Sequence, residues 1–548
     1  MRNSIKNWYD FTAFTSLISN NNENGFILHV APHKEELRVT LYGCQSKKFY
    51  LHVLFQDVQK FINDIPKIND PKIKAIFFTI YSFKNENFPN NVQLCKSLKS
   101  KFEEMNSFNV SAAKIPYLFT SDGNFILTCA LAAANITINV GECVLVLMIL
   151  KDTFQVCDLK FTNNGYKVLR NQSLIDIDEI EDDDKLRRKI LGKKKHDKIL
   201  LCCDNLQNQI VATVKKVVKA SSNKMTVISE MFSGEKFDGS GLVEQSKWIL
   251  DNKYTKFHVI PTISARIYGI GYECGETEYY FLTTEENAQL PYAESFHAPK
   301  TCFNHFMAYM DEGTGKFVRI ETFTLNGDDA HEYKITLKVD NNNFPSYSIH
   351  GINVEKITNL PHLKIDNDLW EKEPLIAFYG NYSFICLWDE SAEEYKFLDS
   401  WNGQFGKPMH IAFDQEKPYF EKDAEETLGK HGKYVIDDLI YIMSRPAEDL
   451  VDSNAGSYSY AITNDNENPV LFEFDHFCGT KMLATPAFLM ALLLKQHVKA
   501  IKKEIGEKPD QLAFCILNEY DFDELENVKF DLGEACQLLN IQSYTFHD

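Results

Sequence analysis

The chain's 548 residues suffice for about three or four domains, and 44% hydrophobic with 13% aromatic residues can fill several cores, which excludes a disordered chain. A formal net charge of −19 repels phosphate backbones and excludes nucleic acid as a default partner. The 13 cysteines, odd in number and without a C-x-x-C, are expected to stay free thiols in a reducing compartment.

Residues 1–16 hold no apolar h-region, so no secretory signal is expected. Phe26–Val30 and Leu37–Tyr42 read as a hairpin, Phe55–Ile65 as a helix, and Ile73–Ile80 as a strand buried on both faces. Cys95, Leu98, Phe102 and Met105 recur at helical spacing. The apolar stretch Phe125–Leu150 is interrupted by Asn135, Asn139 and Glu142, so no membrane span is expected. Glu142–Phe161 holds two strand runs. Lys198–Cys203 is another, followed by a helix through Ile210, Val214, Val217 and Val218. The acidic run Glu179–Asp184 and the basic run Lys185–Lys198 are expected to offset each other in an exposed loop.

From Phe257 to Glu355 short strands alternate with turns: Tyr279–Thr283, Thr301–Met310, Lys316–Phe323, Glu332–Val339 and Ser346–Ile352. That is the pattern of an antiparallel β-sandwich. The glycine pairs at Gly239/Gly241 and Gly269/Gly271 read as turn residues, and Asp311–Glu321 and Asp340–Asn343 as hairpin turns. Asn359–Lys372 reads as a linker. Leu375–Trp388 and Tyr395–Leu398 are strand-rich. Thr485-Pro486 opens a long helix carrying Phe488, Leu489, Leu492, Leu493, Val498 and Ile501, which Gly506 ends. Leu512–Leu517 is a buried strand, and a helix through Leu525, Val528, Leu532, Ala535 and Leu539 precedes a short strand at Ile541–Phe546. Pro71 and Ala75 correspond to Pro509 and Ala513 at one constant offset, so element order predicts a degenerate internal repeat.

This order resembles the heat-shock protein 70 family, an actin-like ATPase domain followed by a peptide-binding β-sandwich. Residues 374–548 carry the closest likeness. Pro408–Glu425 is similar to the family's P-S-Y-V-A-F…G-D-A-A run, and Val435–Asp449 to its V-F-D-A-K-R-L-I-G…D-D run. Leu145–Leu159 is similar to the second-lobe motif D-L-G-G-G-T-F-D-V, and His258–Arg266 stands where the family has D-V-T-P-L-S-L-G. The resemblance implies an α/β and all-β multidomain chain. It places a compressed first ATPase lobe at 1–132, a reduced second lobe at 133–250, the sandwich at 257–358, a linker at 359–372, and an incomplete second copy of the first lobe at 373–548.

The family's chemistry requires glycine loops that admit phosphates, carboxylates that hold magnesium through water, and a lysine that orients the attacking water. By the resemblance, the first phosphate loop reads Ile376-Ala377-Phe378-Tyr379-Gly380-Asn381-Tyr382, with Phe378 at the metal-facing carboxylate. The catalytic lysine falls on Leu439. In the second loop Lys151-Asp152 replace glycines, Thr153 survives, and Gln155 stands where Asp is expected. Thr153 and Gly380 are thus relic nucleotide positions, and the catalytic set is lost at Phe378, Leu439 and Gln155. No cofactor and no metal are expected, and ATP with magnesium enters only if the divergent cleft still works. No G-x-S-x-G, H-E-x-x-H or zinc spacing offers another active site.

The sandwich's groove positions map onto Phe306, Phe317 and Ile320, which read equally as peptide contacts or as ordinary core. Tyr272–Thr277, where the family adds apolar loop contacts, reads as polar. The leading expectation is a chaperone-like protein that binds or scaffolds polypeptides without ATP turnover. Its partners would be polypeptide clients or other proteins, with neither nucleic acid nor membrane, in the cytoplasm with the nucleus kept open. An ATP-dependent chaperone with a divergent working site, and a structural relic without clients, are the alternatives.

Overall fold

A computed structural model describes residues 11–108, 114–149, 154–174, 183–207, 209–218, 224–229, 235–262, 266–275, 277–285, 288–311, 314–327, 329–363, 372–452 and 460–547. The described residues form a mixed α/β molecule with several sheets.

The N-terminal region runs α1 (Thr12–Asn20), β1 (Phe26–His33), β2 (Glu36–Gly43), β3 (Phe49–Phe55), α2 (Val58–Asp64), β4 (Ile73–Phe78), α3 (Asn91–Phe108), β5 (Tyr117–Phe119) and α4 (Asp122–Ala133). Its sheet is ordered β3-β2-β1-β4-β5, with β1, β2 and β3 antiparallel and β4 and β5 parallel to β1. Strand β4 is apolar except at the half-buried Lys74, because both its faces are covered. Ile76 and Phe78 join Cys95, Leu98, Phe102 and Met105 of α3 in one core, while Ala75 and Phe77 join α4 in another. The helix expected at Phe55–Ile65 starts at Val58, since Phe55 ends β3 and Asp57 caps the helix by accepting from the Lys60 N–H at 2.9 Å.

The next region runs β6 (Cys143–Ile149), β7 (Phe154–Thr162), β8 (Gly165–Leu174), α5 (Asp183–Leu191), β9 (Lys198–Cys203), α6 (Gln209–Val218), β10 (Met225–Ile228) and α7 (Glu235–Leu250). Its sheet, β10-β9-β6-β7-β8, repeats the first in order and in direction. The charged segment expected as a loop is partly helical. In α5, Leu186 and Ile190 are buried, and the Arg187 guanidinium donates to the Val217 carbonyl at 2.8 Å. An apolar stripe under a charged face is sufficient to order it.

Helix α7 returns to lie on α4 and the first sheet. A Cβ on Gly241 would stand 2.1 Å from Cys129 Sγ of α4, and one on Gly239 would stand 2.3 Å from the Lys47 carbonyl. These glycines therefore serve helix packing and are not turn residues. One continuous core joins Phe77, Leu127, Val146 and Leu242 across the two sheets.

The sandwich consists of β11 (Tyr268–Cys274), β12 (Thr277–Thr283), β13 (Tyr292–Pro299), β14 (Thr301–Asp311), β15 (Lys316–Leu325), β16 (Glu332–Val339) and β17 (Pro345–Ile352). Sheet β12-β11-β14-β15 faces sheet β13-β16-β17 over a core of Tyr268, Ile270, Met307, Tyr309, Ile335 and Leu337. Gly269 and Gly271 lie within β11. At Gly271 a Cβ would meet the Tyr279 carbonyl at 2.1 Å, so close strand approach, not a turn, requires glycine there. The Asp340–Asn343 turn forms as expected and docks on the first region. Asn342 Oδ1 accepts from the Phe119 N–H at 3.1 Å, and the Tyr81 hydroxyl donates to the Asn342 carbonyl at 2.5 Å.

After α8 (Glu355–Thr358) come β18 (Leu375–Tyr379), β19 (Tyr382–Asp389), β20 (Glu394–Phe397), and the short strands β21 (Lys407–Pro408), β22 (Ile411–Ala412) and β23 (Tyr419–Phe420). Then follow α9 (Glu421–His431), β24 (Val435–Ile436), α10 (Leu439–Ser444), α11 (Ala447–Asp452), the three-stranded sheet β25 (Ala461–Thr463), β26 (Leu471–Asp475) and β27 (Lys481–Ala484), α12 (Pro486–Ile505), β28 (Gln511–Ile516), α13 (Phe522–Leu538) and β29 (Ser543–His547). The main sheet, β20-β19-β18-β28-β29, has the same order and directions a third time. Ala75 pairs with Ile27 as Ala513 pairs with Leu375, so the constant offset read in the sequence marks equivalent rungs. Thr485 caps α12 by accepting from the Phe488 N–H at 3.2 Å. The buried stripe of that helix includes Leu489, Met490, Leu493, Leu494, His497 and Ile501, while Phe488, expected to be inside, is exposed.

Candidate functional site

Strand β18 ends in a tight hairpin, with Tyr379 opposite Tyr382 and Gly380 at φ +53°. The Gly380 N–H donates to Asn518 Oδ1 at 3.1 Å. The Asn381 side-chain amide donates to Asp438, which precedes the first turn of α10 without capping it. Asp437 precedes it, and its carbonyl accepts from the Tyr460 hydroxyl at 2.8 Å. The segment is thus fixed on both sides by side-chain bonds.

Phe378 and Leu439 are fully buried in the core of this region. The Phe378 ring lies 6.2 Å from Phe514 and 6.2 Å from His497. His497 donates from Nδ1 to the Leu493 carbonyl at 2.9 Å, so its Nε2 accepts from Ser383 Oγ at 2.8 Å. The Trp401 indole donates to the same hydroxyl at 3.1 Å. This Ser–His contact is sealed in the core, and burial lowers the imidazole to about 4. It is a satisfied polar cluster, without access for a substrate.

Next to the hairpin the chain leaves space. A cavity of about 580 Å³ lies between the open end of the sandwich and the Tyr379–Tyr382 turn. Tyr272 and Cys274 of β11, Phe303 and His305 of β14, Glu425 of α9 and the Asp437-Asp438 pair line it. Tyr272 stacks on Phe303 at 4.9 Å and on Tyr279 at 5.3 Å. Across the gap the Tyr379 hydroxyl donates to Glu332 at 2.6 Å, and Glu425 Oε1 accepts from the Cys302 N–H at 3.1 Å and the Tyr382 hydroxyl at 3.3 Å.

Burial, then mutual repulsion, pushes the Asp437 carboxyl well up. Burial also raises Asp438, against the pull of Asn381, and raises Glu425. Burial holds His305 and His410 neutral, each lowered to about 4. Among the described residues no group of three or more His, Cys, Asp or Glu side chains is arranged to hold a metal ion.

The structure divides the residues singled out from sequence. Gly380 lines the cavity, whereas Phe378 and Leu439 fill the core behind it. Bulky side chains thus fill the core at Phe378 and Leu439, but the space beside the turn is not filled as the sequence suggested. Gln155 donates to Asn171 Oδ1 at 2.8 Å on β7, far in sequence from this turn, and Thr153 lies outside the described residues.

Phe306, Phe317 and Ile320 do not form one groove. Phe306 and Phe317 pack with Tyr280 on the outer face of their sheet, at 5.4 and 4.2 Å, while Ile320 points into the sandwich core. The Arg319 guanidinium covers the buried Phe306 at 4.6 Å and pairs with Glu273 and Glu278 at 2.6 Å each. Tyr272–Cys274, read as a polar loop, continue β11 and supply an aromatic wall. Sequence reasoning missed Asp437, Asp438, Glu425 and His410. The adjacent aspartates after a short apolar run were the one signal available.

No protein-family model matches the chain, and no curated protein matches it in sequence.

Proposed function

We propose that the chain is a chaperone-like protein that binds or scaffolds polypeptide without turning over ATP, related in architecture to the heat-shock protein 70 family. The reading is supported by three sheets of one order, each an antiparallel hairpin unit continued by parallel strands, and by a sandwich between the second and third. In that reading residues 1–132 and 133–250 are the two lobes of an actin-like ATPase domain, 257–358 the sandwich, and 373–548 a second copy of the first lobe.

The observation that carries the proposal is the placement of Phe378 and Leu439. Both are committed to core packing where a hydrated cation and an ammonium would have to stand. The open sandwich end, with its aromatic wall, then supplies the binding surface. Calorimetric titration of MgATP into the full chain should be flat, and a peptide array should show enrichment. Tight magnesium-dependent binding with turnover would replace this reading with a divergent ATPase. One observation favours that second reading, the cavity with two carboxylates beside Gly380. Its acidic lining opposes a triphosphate unless metal ions come with it.

A further inference from the structure

We propose that the cavity between the sandwich and the third sheet binds an organic cation, a guanidinium or primary ammonium on an alkyl stem. The inference rests on the reading of this end of the sandwich as a binding surface and adds the chemistry of its ligand. At about 580 Å³ the space falls within the range that holds a small molecule or a long side chain.

Its charge selects the ligand. Four carboxylates line it (Glu332, Glu425, Asp437 and Asp438) against one ammonium, that of Lys300. Neither Asp437 nor Asp438 has an ion-pair partner among the described residues. Two adjacent, half-buried acids are costly unless a cation joins them or they take up protons. The raised Asp437 and Asp438 carboxyls register that cost. An incoming guanidinium would relieve it.

The walls suit a cation's faces as well as its charge. Tyr272 and Phe303 present stacked rings, and a guanidinium over an aromatic face gains attraction that grows with desolvation. The cavity already engages one cation this way, because Lys300 Nζ lies 5.5 Å from the Tyr382 ring and 5.9 Å from Phe405. His410 adds a neutral imidazole to the same wall, 4% exposed, whose Nδ1 has no hydrogen-bond partner. A planar donor with several N–H groups can answer both a carboxylate and an imidazole nitrogen.

The test is calorimetry on the full chain with two pairs of probes: butylguanidine against the neutral butylurea, and an arginine-containing peptide against the same peptide with citrulline. We expect at least tenfold preference for the charged member of a pair. Butylguanidine binding identifies a free small cation as sufficient; binding by the arginine peptide alone identifies a side chain of a polypeptide client. Asp437→Asn with Asp438→Asn should weaken binding at least tenfold. Lys300→Met should tighten it severalfold, a gain that misfolding does not produce. Equal binding of charged and neutral probes, no binding of either charged probe, or a folded double variant that binds like the parent would overturn the proposal. No cation binding beside an enriched peptide array removes the cation alone, whereas a flat array as well removes the binding reading with it.

Discussion

The Tyr379 hydroxyl donates to Glu332 across 2.6 Å, joining the β18–β19 turn to the first residue of β16 in the sandwich. This bond spans the cavity lining and ties the third sheet to the sandwich. Tyr379→Phe should cost about 1–3 kcal/mol at that contact, as for a hydrogen bond to a charged acceptor. Limited proteolysis should then cut faster between the sandwich and the third sheet. An unchanged cleavage pattern would show that α9, packed on β11 and β14, suffices alone.

Acid should weaken the third region through His497. Its imidazole titrates at about 4 when folded, because burial disfavours the charged ring, against about 6.5 when unfolded. The unfolded chain therefore takes up a proton that the folded chain refuses. Stability from this group is complete above about pH 6.5 and falls by about 1.4 kcal/mol per pH unit down to about 4. Raised acids such as Asp437 act with opposite sign, but they are shared by parent and variant. The urea-midpoint difference between the parent and His497→Gln should thus shrink from pH 6.5 to 4. A difference independent of pH would mean that the histidine is not held neutral.

Gly241→Ala should destabilise the contact between α4 and α7 by about 1–3 kcal/mol, since the new methyl would stand 2.1 Å from Cys129 Sγ and 2.9 Å from its Cα. Backbone as well as side chain is struck, so Cys129→Ala should rescue only part of the loss. Thermal melts of the single and double variants separate the two contributions.

Cys478 should be the first thiol alkylated at neutral pH. It is exposed in the β26–β27 turn, with His476 Nδ1 at 3.1 Å and Thr480 Oγ1 at 3.0 Å. Hydrogen bonds from His476 and Thr480 lower its thiol to about 7, whereas burial raises Cys44, Cys157 and Cys302. Mass spectrometry after brief iodoacetamide treatment should find the label there, and His476→Ala should slow it severalfold. Equal labelling of Cys302 would contradict this assignment.

Much of the last sheet was legible because its signals are local. Thr485-Pro486 marks a helix start, and the run at Leu512–Leu517 marks a strand covered on both faces. The second occurrence of the sheet, in β6 to β10, was not legible as a copy. Equivalent rungs there share direction and order but no residue that composition would flag. Strands β11 and β13 also escaped notice. Gly269 and Gly271 look like turn residues until the partner strand's carbonyl is seen against them, and β13 is largely exposed.

The candidate site shows the division most plainly. The sequence by itself determined which side chains are apolar enough to leave water, and so that Phe378 and Leu439 would lie inside; it also determined the caps and periods that set each helix and strand. Only the tertiary structure decided that the turn at Gly380 faces the sandwich, and that Asp437 and Asp438 meet Tyr272 and Phe303 across a cavity. Burial and periodicity are properties of a segment, whereas a cavity is formed by surfaces far apart in the chain, whose approach no local pattern encodes.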